Sequence, residues 1–250
     1  MKLNWAERWA VNNPSRPIQQ RLEIRWMKRR RPLAPGSVVL EVGCGRGVGA
    51  ALIQKEFQPA VLQAMDLDPE MLRRGKTYLP EGERKEISFY VADVRRVPAR
   101  VESLDAVFGF GVLHHVPDWE SALMEIVRVL KPGGVYYLEE LFPSLYQNFI
   151  TKHILLHPAD RRFRSEDLKT AIKGAGLRLD HLIEHPKIGI LGIASKSAVI
   201  RTALRTLEKI SHEEKLRRDI QDSVNRCGAA DREENRELFN AGVARAHGNE

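Results

Sequence analysis

Apolar strand-like segments that alternate with helical segments are the feature that most limits the folds open to this chain. Strands are predicted over residues 37–42, 60–66, 87–93, 104–110 and 135–141, and helices over 47–57, 68–79 and 118–130. Parallel strands need long crossover connections, which helices of this length provide. The pattern therefore predicts an α/β fold, with βαβ units arranged around a mainly parallel sheet.

The alternation continues for one more helix and two more strands, and then stops. A helix is predicted over 165–177, and strands over 177–185 and 190–196 are joined by a short loop with Pro and Gly, which favours an antiparallel pair. Residues 197–250 carry apolar positions at helical spacing among many charged ones. We therefore expect a core domain over 37–196 and a helical C-terminal extension over 197–250, which is a candidate dimer contact.

Residues typical of helix ends support two of these helices. Asp68 and Asp118 each precede a predicted helix, where a short acidic side chain caps free backbone N–H groups. The sequence KPGG at 131–134 is predicted to end the second of these helices, because Pro and Gly are helix breakers.

Positive charge is concentrated in the first part of the chain. Residues 1–31 contain nine lysines and arginines against two glutamates, an excess that equals the net charge of +7 of the whole chain. Trp5 and Trp9, and Ile18, Leu22 and Trp26, recur every four residues, which indicates helices. Residues 1–36 are therefore predicted to form a basic amphipathic arm that packs on the domain, lies on a membrane surface or contacts RNA. We do not expect nucleic acid, because the rest of the chain is electrically neutral.

Composition excludes several other classes of protein. The first residues lack the apolar core of a secretory signal, and no run approaches the ~18 apolar residues of a membrane span, so we expect a cytoplasmic protein whose arm could touch a membrane. Two cysteines are too few for a disulfide framework. The spacing of Cys and His matches no metal motif, so no metal is expected.

A glycine-rich loop follows the first predicted strand in VLEVGCGRG, residues 39–47. The spacing Gly45-x-Gly47-x-x-Ala50 fits a dinucleotide-binding loop, which favours NAD as the ligand. The spacing Gly43-x-Gly45-x-Gly47 after Glu41 fits a different ligand, because a carboxylate beside the loop repels a pyrophosphate and suits an ammonium group. Both alternatives place a small charged ligand at the end of the strand.

Acidic residues also end the second and third predicted strands. Asp66 is placed to accept hydrogen bonds from ribose hydroxyls, and Asp93 to accept one from an adenine amino group. Together with Glu41, these residues indicate a ligand with adenine, ribose and an ammonium group, and without phosphate.

Four segments in succession resemble the motifs of class I S-adenosylmethionine-dependent methyltransferases. They are VVLEVGCGRG, AMDLDPEML, YVADVRRVP and LDAVFGFGVLHHVPDWESALMEIVRVLKPGG. They are most similar to the small-molecule branch that includes enzymes of ubiquinone and menaquinone biosynthesis. The resemblance covers roughly residues 37–196. It implies a Rossmann-like fold with a seven-stranded, mostly parallel sheet whose last strand is antiparallel, and S-adenosylmethionine bound at the carboxyl ends of the strands.

The resemblance also implies roles for individual residues. The implied cofactor-binding set is Glu41, Gly43, Gly45 and Gly47 at the methionine-side loop, Asp66 at the ribose, Leu67, Asp93 and Val94 at the adenine, and Gly109 and Phe110 at the methionine end. Gly109 and Phe110 depart from the family pattern, in which a more polar segment is expected there.

The acceptor of the methyl group is less constrained by the sequence. A sulfonium methyl is already electrophilic, so the enzyme mainly supplies orientation, and a general base is needed only for a weakly acidic acceptor. His115 and Glu140 are the candidates for that base. The apolar segment 141–158 is predicted to cover a small, largely apolar acceptor. A catalytically silent binding protein, an RNA methyltransferase and a nicotinamide dehydrogenase remain alternatives.

Overall fold

A computed structural model describes residues 16–146 and 163–197, together with residues 214, 215 and 218. The chain divides into two units, Met1–Ala198 and Val199–Glu250, and the description below concerns the first. Several predictions fall outside the described residues: the first half of the N-terminal arm with Trp5 and Trp9, most of the predicted acceptor cover, and nearly all of the C-terminal extension.

The described part of the first unit alternates helices and strands. In chain order the elements are α1 Arg16–Arg30, β1 Val38–Val42, α2 Val48–Phe57, β2 Val61–Asp66, α3 Pro69–Tyr78, α4 Glu81–Lys85, β3 Ile87–Val91, a 3-10 turn Val94–Arg96, β4 Leu104–Phe110, a 3-10 turn Leu113–His115, α5 Trp119–Val129, β5 Leu130–Leu141, α6 Pro143–Tyr146, α7 Ser165–Gly174, β6 Leu177–His185 and β7 Gly189–Lys196.

The seven strands form one sheet in the order β3-β2-β1-β4-β5-β7-β6. Strands β1 to β5 pair in parallel, whereas β7 is antiparallel to both β5 and β6. This confirms the predicted Rossmann-like sheet with its antiparallel last strand. The strand order reverses between β1 and β4, and the loops at the carboxyl ends of strands diverge at such a point and leave a crevice.

The central strands are buried on both faces, which explains their continuous apolar sequence. Leu40 and Val107 face the layer formed by α5 and α7, whereas Val39 and Phe108 face α1 and α2. The Phe108 ring stacks on the Tyr137 ring at 4.3 Å between centroids. The core therefore fixes both helical layers against the strands whose ends form the crevice.

Two local predictions need correction. Helix α5 ends just before the KPGG segment, but this segment also belongs to strand β5, which begins at Leu130. Within it, Gly133 takes a left-handed backbone (φ +79°), and the β4–β5 register is irregular nearby. Asp68 caps α3 as predicted by accepting the Glu70 N–H at 3.0 Å, but Asp118 does not cap α5 through its side chain.

Helix α1 buries a different face from the one that the apolar spacing suggested. Gln20, Ile24 and Met27 are buried against α2 and the sheet, whereas Ile18 and Leu22 are 68% and 62% exposed. This face of α1 is buried because it covers a polar cavity, which Gln20 helps to line. Among the described residues, no helix is long and apolar enough to cross a membrane.

Candidate active site

A cavity of about 370 Å³ lies at the carboxyl ends of β1 to β4, beside the reversal of strand order. Among the residues singled out from the sequence, those that line it are Gly43, Gly45, Asp66, Leu67, Asp93, Val94, Phe110 and His115. The sheet therefore brings together residues that lie up to 72 positions apart.

The glycine loop is held against the end of β2. Gly43 has φ +65°, and a Cβ built on it would lie 2.5 Å from Val112 Cγ2, so no larger residue fits there. The Gly45 N–H donates to Asp66 Oδ2 at 2.7 Å. The loop is therefore anchored to the end of β2, where Gly43 and Gly45 form part of the cavity lining.

Asp66 organises this end of the cavity. Its second oxygen, Oδ1, accepts the Asp68 N–H at 2.8 Å. Burial raises the pKa of Asp66, and the two backbone N–H donors partly oppose that rise. Each carboxylate oxygen has two lone pairs, so Asp66 can still accept hydrogen bonds from a ligand.

The lining of the cavity also includes apolar side chains and an ion pair. Leu67, 46% exposed, and the buried Val94 present apolar surface. Asp93 is bound by Arg95, whose Nη2 lies 2.6 Å from Asp93 Oδ2, and this side-chain hydrogen bond lowers the pKa of Asp93. Sequence reasoning missed Arg95 as the partner of Asp93, although the two are only two residues apart.

Glu41 lies outside the large cavity and lines a smaller one of about 60 Å³ between α1 and the glycine loop. It is 2% exposed and its Oε2 has no hydrogen-bond partner among the described residues. Its carboxyl accepts the Ala50 N–H in the first turn of α2. Burial, and then the negative charge of Asp66, hold the pKa of Glu41 well above its ordinary value.

Two of the predicted glycines line neither cavity. Gly47 directly precedes α2 and has φ +84°, and a Cβ there would lie 2.9 Å from Leu79 and from Phe89. Gly109 lies within β4, where a Cβ would lie 3.0 Å from the Tyr136 hydroxyl. The structure therefore gives both glycines a packing role, and Gly111 lines the large cavity in their place.

Glu140 has a structural environment and does not line either cavity, so its role as a general base stays a prediction that the geometry does not favour. It is fully buried, and it accepts the N–H groups of Val112, Leu113 and His114 and pairs with His114 Nδ1 at 2.7 Å. These bonds hold the turn that carries His115. The other candidate, His115, does line the large cavity.

Glu139, the neighbour of Glu140 on β5, points to the other face of the sheet. It pairs with Arg16 at the start of α1, with Arg16 Nη2 2.6 Å from Glu139 Oε2. Burial raises the pKa of Glu139, and Arg16 opposes that rise. The pair therefore ties α1 to the carboxyl end of β5.

Replacing Glu41 with Gln should change how stability depends on pH. A buried carboxyl with a raised pKa is protonated more readily in the folded chain than in the unfolded one. The free energy of unfolding of the wild type therefore falls as pH rises from 4.5 through the raised pKa. Glu41→Gln keeps an acceptor for the Ala50 N–H and cannot ionise, so its melting temperature should exceed that of the wild type by a margin that grows over this pH range.

Thermal unfolding of both proteins across that pH range is the measurement. The exposed Glu83→Gln on α4 is the control, and its margin should stay near zero at every pH. A margin for Glu41→Gln that is constant with pH would contradict a buried, ionisable Glu41.

Comparisons with known proteins agree with this geometry. Residues 40–138 match the family model described as a methyltransferase domain. A sterol 24-C-methyltransferase of Gibberella zeae is 32% identical over 158 residues, which cover 60% of this chain and 41% of that protein. A phthiotriol/phenolphthiotriol dimycocerosates methyltransferase of Mycobacterium leprae is 33% identical over 111 residues, 44% of this chain and 39% of that protein. The chain thus spans less than half the length of these relatives.

A solved structure supports the same fold. The S-adenosylmethionine-dependent methyltransferase from Aquifex aeolicus superposes with a TM-score of 0.60 over 78% of this chain and 99% of its own, at 19% identity. At this identity the likeness shows the fold, and the family model matches less than half of the chain. Both findings agree with the resemblance of the sequence to class I S-adenosylmethionine-dependent methyltransferases.

The site residues fit the cofactor of this class. The unpartnered Glu41 oxygen suits the ammonium group of S-adenosylmethionine, and Asp66 has acceptor capacity for its ribose hydroxyls. The apolar walls at Leu67 and Val94 suit a flat, uncharged ring.

Proposed function

We propose that this protein binds S-adenosylmethionine in the large cavity and transfers the methyl group to a small, largely apolar acceptor. The observation that carries the proposal is the cavity itself, in which the glycine loop is hydrogen-bonded to Asp66 and apolar side chains form part of the lining. The proposal gains support from relatives named as sterol and phthiotriol methyltransferases, because those names describe apolar substrates.

The proposed contacts use residues that line the two cavities. We assign Asp66 to the ribose, Leu67, Asp93 and Val94 to the adenine, Glu41, Gly43 and Gly45 to the amino-acid end, and Phe110 to its methionine side chain. Gly47 and Gly109 would support the site through packing alone. S-adenosylmethionine supplies an electrophilic methyl group on its sulfonium. The chain itself would bind the cofactor and the acceptor, orient them and exclude water, which is sufficient for an in-line displacement.

His115 is the residue that we assign to the acceptor. It lies on the cavity wall together with Val116 and Pro117, and its ring packs 4.2 Å from that of His114. The bond between His114 and Glu140 holds this pair of rings in place. His115 would therefore contact the acceptor, and serve as a base where the acceptor carries a weakly acidic proton.

The small cavity argues against NAD as the ligand. A dinucleotide places its pyrophosphate at the N-terminus of the helix after the glycine loop. In this chain the Glu41 carboxyl accepts the Ala50 N–H in that first turn, and a buried carboxylate there would repel phosphate. Within the described part of the arm, Arg16 pairs with Glu139, and Arg21 and Arg25 lie near Glu56, which leaves these three arginines less available to RNA.

Contacts beyond the acceptor are part of the same proposal. Ile18 and Leu22 are exposed on the outer face of the basic helix α1, which supports contact with an anionic membrane surface that carries the acceptor. We propose a cytoplasmic location on the composition of the sequence, and the 197–250 extension as the candidate dimer contact.

Asp66→Asn should weaken binding of S-adenosylhomocysteine, the demethylated product, by about 10- to 100-fold. An amide cannot accept with both its atoms, so either the Gly45 or the Asp68 N–H loses its partner and the charge at the ribose position disappears. Calorimetric titration measures the change.

Asp105→Asn is the matched control, because Asp105 also accepts a backbone N–H, that of Val38 at 2.9 Å, but at the amino ends of β1 and β4, away from the cavity. It should keep the wild-type affinity. Equal losses in both variants would indicate a general effect on folding and would contradict the assignment of Asp66.

Transfer itself is tested with methyl-labelled S-adenosylmethionine and two acceptor panels, one of sterols, quinols and long-chain alcohols and one of polar amines and short RNA. The proposal expects label in the apolar panel. Binding of the cofactor without transfer to either panel would favour a catalytically silent binding protein.

A further inference from the structure

The small cavity joins the N-terminal helix to the glycine loop. Gly43, Gly45 and Phe110 line both this cavity and the large one, so the two adjoin at the loop. Its remaining wall comes partly from α1, through Arg16 and Gln20. An element outside the matched methyltransferase domain therefore forms part of the candidate site.

A carboxyl group and a guanidinium group both line this cavity. The Glu41 carboxyl is buried with an unpartnered oxygen, which calls for a donor. The Arg16 guanidinium, also largely buried, lies 2.6 Å from Glu139 and 3.4 Å from Glu23. A guanidinium has five N–H groups, more than these two contacts require. The cavity can therefore accept a group that carries both an ammonium and a carboxylate.

Other cations near the two cavities are committed elsewhere. Arg46 lines the small cavity, but its guanidinium carbon lies 3.9 Å from the centre of the Tyr78 ring. Arg95 lines the large cavity at its far wall and is bound to Asp93. Among the described residues that line these cavities, Arg16 is thus the cation best placed to meet a carboxylate beside the glycine loop.

We propose that Arg16 and Gln20 of α1, together with Glu41, hold the amino-acid end of S-adenosylmethionine, with Arg16 on its carboxylate and Glu41 on its ammonium group. The inference rests on the proposed function and makes α1 part of the cofactor site. It also links the cofactor and acceptor regions. Glu139, the partner of Arg16, lies beside Gly111, and Gly111 lines the large cavity.

The test compares two ligands that differ only at the amino-acid end. S-adenosylhomocysteine carries it, whereas 5′-methylthioadenosine has the same adenine, ribose and thioether without it. Arg16→Gln should weaken the first by about 10- to 100-fold, the range for loss of one charged hydrogen-bonding partner. It should leave the affinity for the second unchanged. Asp66→Asn should weaken both ligands.

Two further variants separate a contact from a structural role. Arg25→Gln, on the same helix and paired with Glu56, should change neither affinity. Arg16→Gln leaves the buried Glu139 without its partner, so the double variant Arg16→Gln/Glu139→Gln removes that charge as well. The double variant should fold with restored stability and still bind S-adenosylhomocysteine weakly.

Each outcome decides a different question. Selective loss of S-adenosylhomocysteine affinity in both Arg16 variants supports the proposal. Equal losses for the two ligands, unchanged affinity in Arg16→Gln, or recovery in the double variant would overturn it while leaving the proposed function intact. Wild-type protein that is folded and binds neither ligand would overturn the proposed function and this inference together.

Discussion

Glu140→Ala is expected to reduce the free energy of unfolding by about 3–5 kcal/mol. Glu140 is fully buried and holds the N–H groups of Val112, Leu113 and His114 and the His114 ring. Without its carboxylate, these buried donors lose their shared acceptor, and the smaller side chain also leaves a cavity in the core. His115 would then lose the fixed position that it has on the cavity wall.

Urea denaturation of the wild type and the variant measures this change. The control is Glu184→Ala on β6, which removes a partly exposed ion pair with Lys169 and should cost less than about 1 kcal/mol. Unfolding energies for Glu140→Ala within about 1 kcal/mol of the wild type would contradict the structural role of Glu140 and reopen a role in catalysis.

Gly49→Ala should destabilise the fold by about 3 kcal/mol, although Ala normally favours a helix. Gly49 lies in the first turn of α2, and a Cβ there would overlap Glu41 Oε1 and lie 2.7 Å from Gln20 Nε2. The carboxyl and the amide would both have to move, so binding of S-adenosylhomocysteine should weaken as well. Helices α1 and α2 and strand β1 thus approach closely at this point because Gly49 has no side chain.

Gly174→Ala, at the end of α7, is the matched control, because a Cβ there would meet nothing within 4 Å. Its melting temperature should equal or slightly exceed that of the wild type, as expected for a glycine replaced in a helix. If Gly49→Ala also melted at or above the wild-type temperature, the packing around Glu41 would be looser than described.

The sheet could be predicted well because its signals are local. Strands 104–110 and 177–185 have the predicted bounds, since each is a short run of residues suited to a pleated sheet. The glycine loop and Asp66 also follow directly from their places after β1 and β2, where parallel strands bring their carboxyl ends together.

The partners of the site residues could not be predicted, because they lie far apart in the sequence. Arg16 and Glu139 are 123 positions apart and meet only because α1 crosses the carboxyl end of β5. The surroundings of Glu139 and Glu140 could not be predicted for a related reason. Alternation along a strand separates two faces, but only the register of the finished sheet tells which face each residue takes.

Helix α1 shows the limit of apolar spacing as a guide to burial. Ile18 and Leu22 lie four residues apart and are exposed, whereas Gln20 is buried beside Gly49 and Glu41. Burial here follows the polar cavity that the helix covers, and nothing in the helix sequence alone reveals that cavity.

Calorimetric titration of the wild-type protein with S-adenosylhomocysteine and with NAD tests the central claim most directly. The account predicts one S-adenosylhomocysteine bound per chain, and no heat of binding with NAD at the same concentrations. Binding of NAD, or a folded protein that binds neither compound, would contradict the assignment of the large cavity to S-adenosylmethionine.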